Sequence, residues 1–338
     1  MNPNPHPHCT TRRQFIAHGG ASTLGFLALA AGQPSWAQTP IAALQILCGA
    51  AAGSTPDIVA RRVAEQLTGQ HAQRAIVDNR PGAAGRIAVH ALKMAPTDGS
   101  TMLLAAGSIS TLVPLLFTTP GYDPDVDLQP VSLAAELPLA LAVGAAVPDS
   151  VGNVRELLEW MRRNPALANV GSPGVGSLPH LLETILFRRG DVAWQHIAYS
   201  GGAPAVVALL GGQIAAVALP EAVLSPHRAS GRLRVLATSG ARRSRFMADV
   251  PNLVEMGYAD LIVLEWFALY MAAQVPGATV DAASLAVRQA IARPELTAAF
   301  AALGMVAVSS TPAELKTRIA AERRTWEPIV RAAQIRIE

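Results

Sequence analysis

Beyond about residue 40, short apolar runs alternate with stretches whose apolar residues recur every three or four positions. That is the pattern of strands followed by crossover helices in parallel sheets. Residues 44–48 predict a first strand and 49–55 a glycine-, serine- and threonine-bearing loop. Thr55 suits an N-cap and Pro56 a first helical position, with Ile58, Val59, Val63 and Leu67 as the apolar stripe. Residues 75–77 predict a second strand and 79–85 a turn into a helix. Residues 102–106 predict a third strand opening into Gly107-Ser108-Ile109-Ser110-Thr111, and 121–124 a turn. A second group starts at 139–143: helix 154–163, strand 169–171, loop 172–177, helix 178–187, strand 192–197, loop 199–204, helix 205–210, and strands 214–219 and 233–238. Residues 262–271 lead back to a helical region over 280–335. The expectation is an α/β chain in which 139–261 forms a second domain inserted into a discontinuous first one, 38–138 plus 262–338.

The N-terminal segment follows a different rule. Thr11-Arg12-Arg13-Gln14-Phe15-Ile16 places two arginines before a polar and two apolar residues, the pattern read by twin-arginine export. A weakly apolar stretch over 21–31 has the length of a signal core and is too short to span a bilayer. Ser35-Trp36-Ala37 puts small residues on the near side of a cut before Gln38. The competing reading, a retained anchor helix, fits the short Ala- and Gly-rich stretch less well. Residues 1–37 are therefore expected to be a cleaved signal and the working protein periplasmic. His6, His8 and Cys9 fall in the discarded segment and receive no role.

Removing that segment changes the charge. The chain has 27 Lys+Arg and 24 Asp+Glu. Arg12 and Arg13 leave with the signal and no acid does, so 25 minus 24 gives a formal +1. No long run of one sign remains, so neither nucleic acid nor an anionic membrane is implied as a partner. Cys48 alone remains of two cysteines, which excludes an intrachain disulfide and suits a small buried hydrophobe at a strand end. About 300 residues can hold two cores.

Three loops, 49–55, 107–111 and 172–177, end a strand, pass through Gly, Ser or Thr, and start a helix. Such junctions present unpaired N–H groups and the positive end of a helix dipole, able to hold a carboxylate without a charged side chain. They equally serve as tight turns. Enzyme signatures are weak. Gly174-Val175-Gly176 lacks the third glycine of a dinucleotide loop, since Pro179 stands there. No P-loop and no G-x-S-x-G elbow occurs, although Ser108, Ser172 and Ser177 offer hydroxyls. His71, His90, His180, His196 and His227 have no zinc spacing, and His180 and His196 suit structural, hydrogen-bonded histidines. No catalytic residue, cofactor or metal is expected.

Across the chain run Gly53-Ser54-Thr55-Pro56-Asp57-Ile58-Val59-Ala60-Arg61, Asn79-Arg80-Pro81-Gly82, Ala95-Pro96-Thr97-Asp98-Gly99, and Tyr122-Asp123-Pro124 with Pro130-Val131. Gly171-Ser172-Pro173-Gly174-Val175-Gly176-Ser177 with His180-Leu181, His196-Ile197-Ala198-Tyr199, Gly201-Gly202-Ala203-Pro204-Ala205, Leu210-Gly211-Gly212-Gln213 and Asp249-Val250-Pro251 follow. In this order they resemble the Bug family, periplasmic solute receptors of tripartite tricarboxylate transporters. The resemblance implies a type II-like Venus-flytrap periplasmic binding protein: two α/β domains, a monomer, closing on a small carboxylate for delivery to membrane transporter subunits. By position it implies ligand contacts from Ala52, Gly53, Ser54 and Thr55 and from Ser108. From the second domain it implies Ser172, Gly174, Val175, Gly176, Ser177, Tyr199 and Ala203. Ser54 stands where the family has a glycine, Ser200 where it often has lysine, and Ala208 and Ala215 where it often has aspartates. These departures bear on ligand identity. A ligand-sensing receptor feeding a signalling partner remains the alternative, because one cleft would serve either role.

Overall fold

The computed structural model describes residues 41–332 and 335–337, so the expected export signal lies outside the described residues. The first unit runs β1 (Ile41–Cys48), α1 (Thr55–Leu67), β2 (Ala72–Asn79), α2 (Arg86–Lys93) and β3 (Thr101–Ala106). Three single turns follow, α3 (Ser108–Thr111), α4 (Val113–Leu116) and α5 (Pro124–Asp127), then the long strand β4 (Leu128–Val143). The second group is α6 (Val154–Arg163), β5 (Asn169–Ser172), α7 (Leu178–Arg189), β6 (Gln195–Ala198), α8 (Gly202–Leu210), β7 (Ala216–Pro220), α9 (Glu221–Arg228) and β8 (Arg234–Thr238). The chain returns through β9 (Leu264–Ala272), α10 (Gly277–Ile291), α11 (Pro294–Ala302), β10 (Val306–Ala307) and α12 (Pro312–Ala332).

The expected βα alternation is present, but the sheet is mixed. Its order is β2-β1-β3-β9-β4-β7-β5-β6, with β10 and β8 also on β4. β1 lies parallel to β2 and β3, and β5 parallel to β6 and β7. β9 runs antiparallel to β3 and β4, and β4 antiparallel to β7 and β8. Antiparallel pairing needs no crossover helix, and the apolar run of β9 looks the same in either direction. β4 is the largest departure. The strand expected over 139–143 starts eleven residues earlier, at Leu128, and holds Pro130 and Pro138, residues that disfavour strand interiors. In the fold, β4 absorbs its first proline next to register shifts at Pro130/Ser132 and Leu133/Ala135, and Pro138 sits opposite Leu264. Between Pro138 and Leu139 the strand passes from β9 to β7 and β8. One strand thus runs through both halves of the sheet.

Smaller differences have local causes. The α1 N-cap is Ser54, one residue before the expected Thr55. The helical region expected over 280–335 is three helices and a short strand: Pro294 starts α11, and the left-handed Gly304 (φ 75°) ends its turn before β10. The core joins the helix stripes to the sheet, with Leu44, Ile46, Val59, Val63, Leu103, Trp266 and Phe300 buried. Cys48 is free and buried, and burial pushes its thiol up to about 11.

Trp266 packs beneath the start of loop 107–111. Its indole N–H donates to both Glu322 oxygens at 2.8 and 2.9 Å, and its carbonyl accepts from the Gly107 N–H at 2.9 Å. A Cβ on Gly107 would stand 2.2–2.6 Å from three Trp266 ring atoms. Gly107→Ala is accordingly expected to lose about 2–3 kcal/mol by overpacking, read from urea unfolding midpoints. Wild-type stability in that variant would mean the indole is free to move.

Candidate ligand site at the strand-to-helix loops

The loop before α1 is tied down by one carboxylate. Asp57, 2% exposed, accepts from the Gly53 N–H (2.8 Å) and Arg61 Nε (2.9 Å) through Oδ2, and from Asn79 Nδ2 (2.8 Å) through Oδ1. Asn79 Nδ2 also donates to the Ala50 carbonyl at 3.0 Å, and Arg61 Nη2 donates to Asn79 Oδ1 at 3.1 Å. Burial alone would raise the Asp57 pKa. The Arg61, Gly53 and Asn79 donors outweigh it and hold the carboxyl below its ordinary value. Gly53 adopts φ 79°, where a side chain is strained. The Ser54 N–H and hydroxyl both turn back onto the Ala51 carbonyl, at 3.2 and 2.6 Å. Ala52 and Thr55 are left with no N–H partner among the described residues. The neighbouring turn crowds in: Gly85 Cα lies 3.3 Å from where a Gly49 Cβ would be, and Ala83 and Ala84 hold left-handed φ of 48° and 56°.

The loop before α7 is built the same way. Gly53-Ser54-Thr55-Pro56-Asp57 and Gly176-Ser177-Leu178-Pro179-His180 share the pattern Gly-Ser-x-Pro followed by an acceptor. Gly176 has φ 81°, against 79° for Gly53. The Ser177 N–H and hydroxyl both go to the carbonyl three residues back, Gly174, at 3.3 and 2.7 Å. The Gly176 N–H donates to His180 Nδ1 at 3.2 Å, where Gly53 used Asp57. Both share one half of a capping box, displaced by one residue: the third helical residue reaches back to the amide before the cap, while only Ser177 also accepts from the third helical amide, that of His180, at 3.4 Å. In the second copy Val175 is exposed at the tip, and its N–H and that of Leu178 have no partner among the described residues, matching Ala52 and Thr55.

Ser172 lies at the base of this loop, fully buried, with His196 Nε2 2.8 Å from its Oγ and the Gly174 amide and carbonyl at 3.3 and 3.2 Å. The His196 ring stacks on His180 at 4.1 Å, and Trp194 closes the cluster edge-on to His196 at 5.9 Å. Burial, with His196 second, pushes the His180 pKa down to about 4, and burial lowers that of His196. Both rings are neutral at physiological pH. A Ser–His pair at this distance suggests a nucleophile and its base. Here the hydroxyl is inaccessible and shared with loop backbone, which makes it a brace.

The other candidates lie on separate elements. Ser108 starts α3, half-buried, while Ser110 Oγ meets Tyr270 OH at 2.9 Å. The Tyr199 N–H donates to the Ser172 carbonyl at 3.0 Å, and its ring packs beside Gly171, where a Cβ would be 2.9 Å away. Ala203 is exposed in the first turn of α8. Gly176 also abuts Phe117 of the first half: a Cβ there would lie 2.8 Å from that ring, which carries the Arg86 guanidinium at 4.3 Å. That contact joins loop 172–177 to the first half. The reading of the sequence left Asp57, Asn79, His180 and His196 out of the site. A Ser-x-x-Asp capping signal at 54–57 was there to find. Among the described residues no group of three or more His, Cys, Asp or Glu could hold a metal ion, and no helix is long and apolar enough to cross a membrane.

Comparison with known proteins gives this geometry its setting. The profile of the tripartite tricarboxylate transporter family receptor matches residues 59–335. A UPF0065 protein of Bordetella bronchiseptica is 30% identical over 307 residues, covering 91% of this chain and 89% of the relative. Protein BugT of Bordetella pertussis is 30% identical over 293 residues, covering 86% of this chain and 89% of that one. Among solved structures, R. palustris Rpa4515 with adipate superposes with TM-score 0.82 at 25% identity, over 89% of this chain and 99% of that one. The periplasmic binding protein BugD gives TM-score 0.81 at 25% identity, over 89% and 100%. The architecture is thus the two-domain, type II-like periplasmic binding-protein fold. The chain belongs to the tripartite tricarboxylate transporter receptor family, a family of solute-binding receptors and not of enzymes.

Proposed function

We propose that this protein captures a small carboxylate between its two halves and delivers it to the membrane subunits of a tripartite tricarboxylate-type transporter. The observation that carries the reading is the pair of matching loops, each offering two N–H groups with no partner among the described residues at a helix N-terminus: Ala52 and Thr55 on one, Val175 and Leu178 on the other. Neutral donors backed by a helix dipole suit an oxyanion. Ser108 and Ala203 would add donors at the other helix starts, and Ser172, Gly174, Gly176, Ser177, Gly53, Ser54 and Tyr199 shape the walls. The structural relative solved with adipate supports an acid of that size. The domains are assigned as 38–138 plus 262–338 and 139–261, consistent with the change of β4 partners at Pro138/Leu139. Twin-arginine export with cleavage between Ala37 and Gln38 would deliver a monomeric receptor to the periplasm.

A thermal-unfolding screen against mono-, di- and tricarboxylates, aromatic acids and their amides tests this. A ligand at 100 times its Kd stabilises the folded state by about 2.7 kcal/mol. At least one acid is expected to do so while its amide does not. Stabilisation by none of the acids would overturn the reading.

A further inference from the structure

We propose that His180 and His196 are positioning residues for the ligand loop, neutral imidazoles that hold Gly176 and Ser172 in place without bringing a negative charge to the anion. This rests on the reading of loop 172–177 as a carboxylate site. In the first copy, the residue reaching back to the pre-cap glycine is the carboxylate Asp57, and Arg61 one turn later neutralises it at 2.9 Å. In the second copy the position one turn after His180 is Thr184, whose hydroxyl merely donates to the His180 carbonyl at 2.8 Å. With no cation there, a carboxylate at 180 would stand unpaired beside the helix N-terminus and cancel its field. An imidazole avoids this. His180 Nδ1 accepts from the Gly176 N–H, so its proton is on Nε2, and the ring is held by the His196 stack at 4.1 Å. His196 in turn bonds the Ser172 hydroxyl, which touches both polar groups of Gly174. The two imidazoles therefore set the residues on either side of the exposed Val175 amide.

The test separates geometry from charge with three substitutions at one position. His180→Asn keeps a neutral acceptor near the Nδ1 position, His180→Asp keeps an acceptor but adds charge, and His180→Leu removes the acceptor. Adipate binding by calorimetry is expected to stay within about threefold of wild type in His180→Asn. It is expected to weaken at least tenfold in the other two, with the His180→Asp loss shrinking as salt rises. The companion substitution His196→Gln, which places an amide near Nε2, is expected to bind as wild type, and His196→Leu tenfold worse. Equal affinity in His180→Asn, His180→Asp and His180→Leu would overturn the proposal. Amide hydrogen exchange supplies an arm that needs no ligand. Gly176 is expected to be protected in wild type, His180→Asn and His180→Asp and to exchange faster in His180→Leu. Identical Gly176 exchange in wild type and His180→Leu would overturn the loop-setting role, even if no carboxylate bound and the receptor reading itself had failed.

Discussion

Replacing Asp57 by alanine is expected to lower stability by about 3 kcal/mol and to weaken carboxylate binding at least tenfold. The side chain is buried and accepts three hydrogen bonds, so its loss strands the Gly53 N–H and one donor of Asn79. Each stranded, partly buried donor costs about 1–3 kcal/mol. Arg61 adds little, because its side chain is 48% exposed and water takes over the lost partner. Affinity falls because Gly53 and Asn79 hold the loop that presents Ala52 and Thr55. Asp57→Asn should fall between the two, since its amide nitrogen cannot accept. The Asp57 pKa lies below its ordinary value, so this stabilisation is complete at neutral pH and is lost only as acid titrates the folded-state carboxyl. Urea unfolding and calorimetry on the same preparations check both numbers. An Asp57→Ala protein with wild-type affinity would show that the first loop does not depend on this network.

The second large effect depends on pH. Glu265 sits on β9 opposite Leu137, 5% exposed, where β4 leaves one half of the sheet for the other. Burial, with the Glu322 carboxylate second, pushes its pKa up to about 8 from the ordinary 4.5. A carboxyl with a raised folded-state pKa contributes stability that is complete below about 4.5 and lost as pH rises through about 8. At 1.36 kcal/mol per unit, ionisation should cost the wild type up to about 4–5 kcal/mol by pH 9. Glu265→Gln has no proton to lose. Its stability is expected to match wild type near pH 5 and to exceed it by several kcal/mol near pH 9. Glu221, raised by burial to about 7, is common to both proteins and cancels in the difference. Unfolding free energies across that range decide it. A difference that does not change with pH would mean Glu265 is already charged in the fold. On the acid side the sign reverses. His180, depressed to about 4, stabilises above its ordinary 6.5 and loses that contribution as pH falls.

Much of this was legible in the chain because it is local. A helix start needs only a serine, a proline and an apolar stripe within one turn, so α1 and α7 and the loops before them are where the sequence pattern put them. Cys48 and the paired histidines also took the structural places their surroundings implied. The two Gly-Ser-x-Pro loops could be read individually. Their equivalence could not, since five residues recur by chance and only the matching hydrogen bonds to Ala51 and Gly174 give the repeat meaning.

What the tertiary structure decided is whatever depends on partners far along the chain. Asn79 reaches Asp57 across 22 residues, and Gly176 meets Phe117 from the other half. The length of β4 was hidden by Pro130 and Pro138, which end strands on local propensity alone. With β9 along its first half and β7 and β8 along its second, β4 gains enough neighbouring backbone and apolar contact to offset two missing donors. Strand direction was hidden for a related reason, because a fully buried strand is apolar on both faces whichever way it runs. By itself the sequence determined where helices begin and which loops offer free amides, through hydrogen bonds spanning a few residues. Only the assembled sheet determined which strands run side by side and in which direction, because β9 pairs with β3 and β4 from more than a hundred residues along the chain.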